Sequence, residues 1–290
     1  MPRAHDALLL DLDGTLLDSE EKVPEATHLA IHEAREAGLK VMVVTGRSWQ
    51  ASKSILKDLA LDAPAVLFNG AAVCDAAGER LMEERVLSNR IMDKLHAFRH
   101  NLGDQMILMG AQRKLCLEPR NAAEERSLEG LVGVQYVDEA ALMAEEYVVR
   151  VTFLANRGQD SKAYSEVMEA HLAQPVYMTH FPLSILVRHR ASQFVAVDVH
   201  PPCRGKAESL RVLKEQFDIP PERVIAVGDA ANDLPMFRAA GLAVAMGNAE
   251  ADVQEEADLV LGDHDSGDLA RMIGALARGE DFWSSPREGV

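Results

Sequence analysis

ALLLDLDGT, at positions 7–15, places a continuous apolar run directly before two aspartates, a glycine and a threonine. A run that is apolar at every position is typical of a strand buried on both faces of a parallel sheet. The acids that follow then lie at the carboxyl end of the strand, where open α/β sheets bind their ligands. The stretch therefore predicts a fold class and, within that fold, the place of a site.

The chain around this stretch repeats a buried strand followed by a helix. Pro24 begins a helix that ends at Gly38, and two more apolar strands follow at 41–44 and 65–68. The pattern returns late in the chain, with predicted strands at 194–199, 223–229, 242–246 and 257–261 and helices at 206–217 and 268–277. We therefore predict an α/β fold with a doubly wound, Rossmann-like parallel sheet.

The middle of the chain follows a different pattern, in which short strands and helices do not alternate regularly. The predicted strands there are 105–110, 114–118, 147–154, 176–180 and 184–189, and the predicted helices are 92–100, 122–128 and 162–172. This α+β pattern predicts a second domain inserted into the first. We place the core at 1–83 and 191–290 and an α/β cap at 84–190, and expect the last dozen residues to form a tail.

Composition disfavours several classes of protein. The 290 residues are 48% hydrophobic, enough for two cores, and the net charge of −16 disfavours a nucleic-acid partner. Three widely separated cysteines favour a reducing compartment, and no apolar run reaches the roughly 18 residues that a membrane span needs. We expect a cytoplasmic protein without a membrane partner, either a monomer or a homodimer.

Four polar clusters follow predicted strands or open the next helix. They are Asp11-Leu12-Asp13-Gly14-Thr15, Thr45-Gly46-Arg47, Lys206, and Gly228-Asp229 with Asn232-Asp233. Phosphoryl transfer needs a nucleophile, a metal ion that neutralises phosphoryl oxygens, and hydrogen-bonding or cationic groups around the phosphate. A carboxylate can be the nucleophile, a second can move protons, and Mg²⁺ prefers carboxylate oxygens. The clusters together therefore favour magnesium-assisted phosphoryl transfer.

Each cluster taken singly also fits a structural role. Asp229 and Asp233 could simply stabilise the start of a helix, and Lys206 could be a solvated helix residue. A nucleotide-binding P-loop is disfavoured, because Gly205-Lys206 lacks the earlier glycine and the hydroxyl after the lysine. The histidines form no zinc-binding pair of known spacing. Only the ordered set favours a catalytic site.

DLDGTLLD, VVTGR, Lys206 and GDAANDLPM resemble the four motifs of the haloacid dehalogenase superfamily. The insert resembles the large cap of its Cof-type branch, which lies between the second and third motifs. The resemblance implies a Mg²⁺-dependent phosphatase that hydrolyses a small phosphate monoester, such as a sugar phosphate, through an aspartyl-phosphate, with the cap selecting the substrate. A phosphosugar mutase is the alternative. A non-catalytic phospho-acceptor or binding protein is a more remote one.

The resemblance also implies a role for each motif residue. Asp11 is the expected nucleophile and Asp13 the expected acid and base. The expected metal ligands are Asp11, the main-chain oxygen of Asp13, and Asp229. The expected phosphate-binding groups are Thr45, Lys206, Asn232 and the amides of Leu12 and Gly46. Asp233 is expected to support the metal site, and Arg47, Asn69 and Gly70 to line the pocket.

Overall fold

A computed structural model describes residues 4–280 and Phe282, and these residues form fourteen strands and ten α-helices, together with short 3₁₀ and π turns. The strands are β1 Ala7–Leu10, β2 Lys40–Val43, β3 Ala65–Leu67, β4 Ala72–Cys74, β5 Leu81–Glu84, β6 Gln105–Met109, β7 Lys114–Cys116, β8 Val134–Tyr136, β9 Arg150–Ala155, β10 Tyr177–Pro182, β11 Val195–His200, β12 Val224–Gly228, β13 Leu242–Ala245 and β14 Leu259–Val260. The helices are α1 Glu25–Glu36, α2 Trp49–Leu59, α3 Asn89–Leu102, α4 Ala122–Ser127, α5 Glu139–Met143, α6 Ser161–Leu172, α7 Glu208–Phe217, α8 Leu234–Phe237, α9 Ala251–Glu255 and α10 Asp268–Arg278. The predicted tail falls almost wholly outside the described residues.

The described chain divides into two compact units. The first contains residues 4–47, 52–82 and 204–280, and the second contains residues 48–51 and 83–203. The second unit thus ends at Cys203 rather than at the predicted residue 190.

The first unit is built on a five-stranded sheet in the order β14-β13-β12-β1-β2. All of its neighbouring strands are parallel. A single parallel bridge between Val44 and Val66 links the end of β2 to β3, which then pairs with β4 in the antiparallel direction. Because β1 is an inner strand, with β2 on one side and β12, β13 and β14 on the other, the chain extends the sheet in both directions from β1 and the sheet is doubly wound. The predicted fold class is confirmed.

Apolar residues cover both faces of this sheet. Alternate residues, such as Leu9 and Ala226, form one apolar cluster with side chains of α7, α8 and α9. The residues between them, such as Leu8 and Ile225, are fully buried as well. On the remaining side α1 contacts β2 and packs along α10. The continuous apolar runs in the sequence are explained by this burial on two faces.

The second unit is built on a six-stranded sheet in the order β10-β11-β9-β6-β7-β8. Its strands pair in the antiparallel direction except for β7 with β8. Val151 and Phe153 of β9 pack in one cluster with α3 and α6, and the Phe98 ring meets the Phe153 ring edge-on at 5.7 Å. Since side chains alternate along a strand, Arg150 and Thr152 lie on the opposite face of the sheet.

Two sequence predictions need correction. The strand predicted at 194–199 is not part of the parallel core but becomes β11, between β10 and β9 of the second unit. In VAVDVH the valines alternate with other residues, a pattern that is typical of an antiparallel strand with one apolar face. We had instead expected the strand to belong to the parallel core, because other core strands follow it in the sequence. The strand predicted at 184–189 is instead two short 3₁₀ turns, Leu183–Ile185 and Val187–His189, in the connection between β10 and β11.

His200 makes the stability of the chain depend on pH. It is fully buried, and neither ring nitrogen has a hydrogen-bond partner among residues 4–280. Burial, reinforced by the charge of Arg150, lowers the pKa of His200 well below its ordinary value. The unfolded chain therefore binds a proton, below about pH 6.5, that the folded chain does not. We expect this residue to reduce the free energy of unfolding as pH falls below about 6.5, by up to about 1.4 kcal/mol per pH unit.

Chemical denaturation of the wild type and of His200→Leu at a series of pH values measures this effect. The wild type should lose stability relative to the variant as the pH is lowered, because the other titrating groups are common to both. A stability difference that stays constant across the series would contradict the prediction.

Candidate active site

Adjacent parallel strands bring distant acids together at one edge of the first unit's sheet. Asp11 follows the last residue of β1, and Asp229 follows Gly228, the last residue of β12. Leu10 lies opposite Val227 in the sheet, and the Asp11 amide donates to the Val227 carbonyl at 3.1 Å. The acids near residue 11 and those near residue 229 are therefore neighbours in space.

Lys206 connects two of these acids. Its Nζ lies 2.7 Å from Asp11 Oδ1 and 2.6 Å from Asp233 Oδ1, and all three side chains are buried. Burial disfavours the ammonium form, but the charges of Asp11 and Asp233 outweigh it and raise the pKa of Lys206 above its ordinary value. Lys206 is thus a buried cation that holds one oxygen of Asp11.

Asp11, Asp229 and Asp233 form a compact acidic cluster, in which one carboxylate oxygen of each lies within 4.8 Å of the others. Burial, reinforced by repulsion from Asp233, raises the pKa of Asp229 to about 7. Burial also raises the pKa of Asp11 well above its ordinary value, with Lys206 acting in the opposite direction. The cluster concentrates negative charge, which a bound cation stabilises.

Asp13 lies apart from this cluster. Its side chain is 57% exposed and pairs with Arg47, which donates through Nε to Asp13 Oδ2 at 2.8 Å and through Nη2 to Oδ1. Burial opposes the charge on Arg47, but the hydrogen bond and charge of Asp13 raise the pKa of the guanidinium above its ordinary value. The predicted acid and base is therefore held in a two-hydrogen-bond ion pair.

The side chains of the site fit a divalent cation. Its four carboxyl groups stand against two cations, Lys206 and Arg47, so that two negative charges remain uncompensated when all groups are ionised. Carboxylate oxygens are hard ligands of the kind that Mg²⁺ prefers. The net charge of the site and the chemistry of its oxygen ligands therefore both fit a divalent cation such as Mg²⁺.

The polar residues predicted to bind phosphate form a hydrogen-bonded group. Thr45 Oγ1 accepts the Arg47 amide at 3.0 Å, which leaves its hydroxyl proton for another acceptor. Asn232 Nδ2 donates to Asn69 Oδ1 at 3.0 Å, while the buried Oδ1 of Asn232 has no partner among the described residues. A Cβ on Gly46 would lie 3.0 Å from Asn69 Oδ1, so glycine admits this close approach.

Two glycines let the acids approach the backbone. Gly14 has a φ of +72°, and a Cβ there would lie 2.1 Å from Asp229 Oδ2. A Cβ on Gly228 would lie 2.3 Å from the carboxyl carbon of Asp233. Any larger residue at either position would displace a carboxyl group of the cluster.

Leu12 and Gly70 lie in the loops that complete this edge. Leu12 is buried and begins the tight turn Leu12–Leu16 directly after the first acid. A Cβ on Gly70 would lie 2.2 Å from the carbonyl oxygen of Gly205, so the loop after β3 packs closely on the residue before the buried lysine.

Asn248 and the contact made by Thr15 were not predicted from the sequence. Asn248 Nδ2 donates to the Gly14 carbonyl at 2.9 Å and to Asp229 Oδ2 at 3.3 Å, and its Oδ1 accepts the His264 amide at 3.0 Å. Thr15 Oγ1 donates to Asp229 Oδ1 at 3.3 Å. Each carboxylate oxygen of Asp229 thus accepts a hydrogen bond, which fixes the orientation of the carboxylate. Asn248 follows β13, the next parallel strand, so the rule that ligands bind at strand ends could have found it.

Residues 8–273 match the family of haloacid dehalogenase-like hydrolases, and the chain therefore belongs to that family. Pyridoxal phosphate phosphatase YbhA of Escherichia coli (strain K12) is 29% identical over 289 residues, covering 92% of this chain and 96% of the relative. Phosphatase YwpJ of Bacillus subtilis (strain 168) is 27% identical over 284 residues, covering 92% and 98%.

Solved structures share the fold. The superfamily phosphatase BT1666 of Bacteroides thetaiotaomicron has a TM-score of 0.77 at 23% identity, covering 95% of this chain and 97% of that one. The predicted membership of the haloacid dehalogenase family is confirmed, and the two relatives from Escherichia coli and Bacillus subtilis are both named as phosphatases. Within residues 4–280 and Phe282, no helix is long and apolar enough to span a membrane.

Proposed function

We propose that the chain is a Mg²⁺-dependent phosphatase of small phosphate monoesters that forms an aspartyl-phosphate on Asp11. The observation that carries the proposal is the buried contact of 2.7 Å between Lys206 Nζ and Asp11 Oδ1 beside the acidic cluster. This contact fixes the carboxylate by one oxygen, so that the other oxygen is the one that attacks phosphorus.

Asp11, Asp229 and the main-chain oxygen of Asp13 are the proposed ligands of Mg²⁺. Asp233 is assigned a supporting role, because its Oδ1 already contacts Lys206 and its Oδ2 accepts the amide of Asp229 at 3.0 Å. It accepts the next amide, that of Ala230, at the same distance and so fixes the loop that carries Asp229. The bound ion supplies positive charge that offsets the phosphoryl oxygens near these acids.

In the first step an Asp11 oxygen attacks phosphorus and the bond to the ester oxygen breaks. Asp13, as the carboxylic acid, gives its proton to the departing oxygen. Substrate binding must first separate the pair between Asp13 and Arg47, and the phosphate offers the guanidinium a replacement partner. The Thr45 hydroxyl, the Asn232 amide and the backbone amides of Leu12 and Gly46 are the proposed donors to the phosphoryl oxygens.

In the second step water attacks the phosphorus of the aspartyl-phosphate. The Asp13 carboxylate accepts a proton from this water, inorganic phosphate leaves, and Asp11 is regenerated as a carboxylate.

The second unit is proposed to be the cap that selects the substrate. The face of its sheet opposite α3 and α6 carries Arg150, Thr152 and Asp198, with Thr152 Oγ1 donating to Asp198 Oδ1 and Arg150 Nη1 at 3.4 Å from Oδ2. Such a polar, nearly buried group suits recognition of a hydroxylated or charged leaving group. A panel of sugar phosphates, nucleotides and cofactor phosphates, including pyridoxal phosphate, tests this choice.

Removal of the metal should stop the reaction. With a simple aryl phosphate as substrate, we expect EDTA to abolish the release of inorganic phosphate and added Mg²⁺ to restore it, because two negative charges of the site then regain a counter-ion. Undiminished turnover after chelation would contradict the proposal. Turnover that instead requires a bisphosphate activator would favour the mutase.

Asn248→Ala should weaken the affinity for Mg²⁺ by about 10- to 100-fold, the usual cost of losing a group that orients a metal ligand. The Asn248 side chain holds Asp229 Oδ2 and the Gly14 carbonyl together. Metal binding to the substrate-free protein, measured by calorimetry, provides a readout independent of activity.

The matched control is Gln254→Ala. Gln254 Nε2 donates to the carbonyls of Gly247 and Ala249, on either side of Asn248, so this variant loosens the same loop without touching an acid. Equal loss of metal affinity in the two variants would contradict a specific role for Asn248.

A further inference from the structure

A cavity of about 450 Å³ lies entirely within the second unit. It opens between the end of α3, the start of α4 and the loop after β9, and Phe194, which precedes β11, also lines it. A volume of this size is typical of sites for small molecules.

Two arginine–carboxylate pairs line this cavity. Arg157 Nε donates to Asp104 Oδ1 at 2.9 Å and to Oδ2 at 3.1 Å, and Tyr164 donates to the same carboxylate at 2.8 Å. Arg120 Nε donates to Glu124 Oε1 at 3.0 Å. The side chains of Arg157 and Arg120 are 38% and 60% exposed, whereas the two acids are at most 7% exposed. The acids therefore bind the guanidiniums on their buried side, and the guanidiniums of Arg120 and Arg157 are exposed to the solvent.

Both guanidiniums keep a donor for a ligand. The Nη1 group of Arg120, the Nη1 group of Arg157 and the side chain of Asn156 make no hydrogen bond to any described residue. The hydrogen bond and charge of Glu124, together with the charge of Asp104, raise the pKa of Arg120 despite some burial. Arg120, Arg157 and Asp104 all line the same cavity, so both guanidiniums can contact one ligand.

We propose that this cavity binds a small organic molecule through a carboxylate or phosphate group. The anion is held by Arg120 and Arg157, since the edge of a guanidinium matches two oxygens of either group. Asn156 supplies a further polar contact, and Leu154 and Phe194 provide an apolar wall for the rest of the molecule. Every residue that lines the cavity belongs to the second unit, so this site is distinct from the acidic cluster of the first.

Calorimetric titration of the full chain with succinate and with inorganic phosphate tests the proposal. We expect saturable binding of at least one anion, weakened by about tenfold or more in Arg120→Gln and in Arg157→Gln, because each loses a charged hydrogen-bond donor. The first unit is also proposed to bind phosphate, so only the phosphate binding that Arg120→Gln removes is assigned to this cavity. Which anion binds identifies the group that the ligand carries.

Arg126→Gln is the matched control, because it removes the same charge from an exposed position on α4 that does not line the cavity. A second variant, Arg120→Gln/Glu124→Gln, removes a pair without leaving an uncompensated buried acid, and thermal unfolding verifies that it folds. Absence of saturable binding to the wild type would overturn the proposal. Binding that is unchanged in Arg120→Gln, or equally weakened in Arg126→Gln, would overturn it as well.

Discussion

Asp11→Asn should abolish turnover and leave the fold intact. The amide has nearly the shape of the carboxylate but is not a nucleophile, and Lys206 keeps its contact of 2.6 Å with Asp233. Loss of a catalytic nucleophile typically reduces kcat by on the order of 10⁴-fold or more. Release of inorganic phosphate measures the activity, and far-UV circular dichroism with thermal unfolding measures the fold.

Asp58→Asn is the matched control for this variant. Asp58 lies on α2 of the same unit, and its side chain is 70% exposed beside His28. The control should retain full activity, which excludes a general effect of removing one negative charge. Substantial turnover by Asp11→Asn, with contaminating phosphatases excluded, would rule out Asp11 as the nucleophile.

Lys206→Met should both destabilise the chain and inactivate it. Removal of one partner from a buried ionic group costs about 3–5 kcal/mol, because the remaining charges have no compensation. Here two carboxylates, Asp11 and Asp233, lose their shared cation. The loss of a fixed positive group beside the reacting phosphate should also lower kcat by about 10²- to 10³-fold. Chemical denaturation and steady-state kinetics measure the two effects separately.

A double variant separates stability from catalysis. Lys206→Met/Asp233→Asn removes one of the two stranded acids and should recover part of the lost free energy of unfolding, since less uncompensated charge remains buried. It should not recover kcat, because Asp11 still lacks the group that fixes its oxygen. If the double variant regains activity together with stability, Lys206 acts only as a structural residue.

The sequence predicted the place of the site because its principal signal is local. Asp11 and Asp229 each follow a strand that is apolar throughout, and parallel strands must end at the same edge. The contact of Lys206 with Asp11 and Asp233 follows from the same geometry, since Lys206 precedes α7 at that edge. Two short motifs and one topological rule were therefore sufficient to bring these residues together.

Other features depend on contacts that no local pattern contains. The pairing of Asp13 with Arg47 is decided by side-chain direction, which strand-end reasoning does not give. The boundary of the second unit was misplaced because β11 carries enough apolar residues to look like a core strand when its partners are unknown. The cavity between Arg120 and Arg157 requires three separate segments to meet.

Asp11 is proposed to carry the phosphoryl group between the two steps. Rapid acid quenching of Asp13→Asn during turnover, followed by peptide mass spectrometry, detects this intermediate, because the variant lacks the base that activates water for the second step. The peptide containing Asp11 should gain the mass of one phosphoryl group, and Asp11→Asn/Asp13→Asn should show no such gain. A phosphoryl group on another residue, or persistent turnover with no phosphorylated peptide at any time, would contradict it.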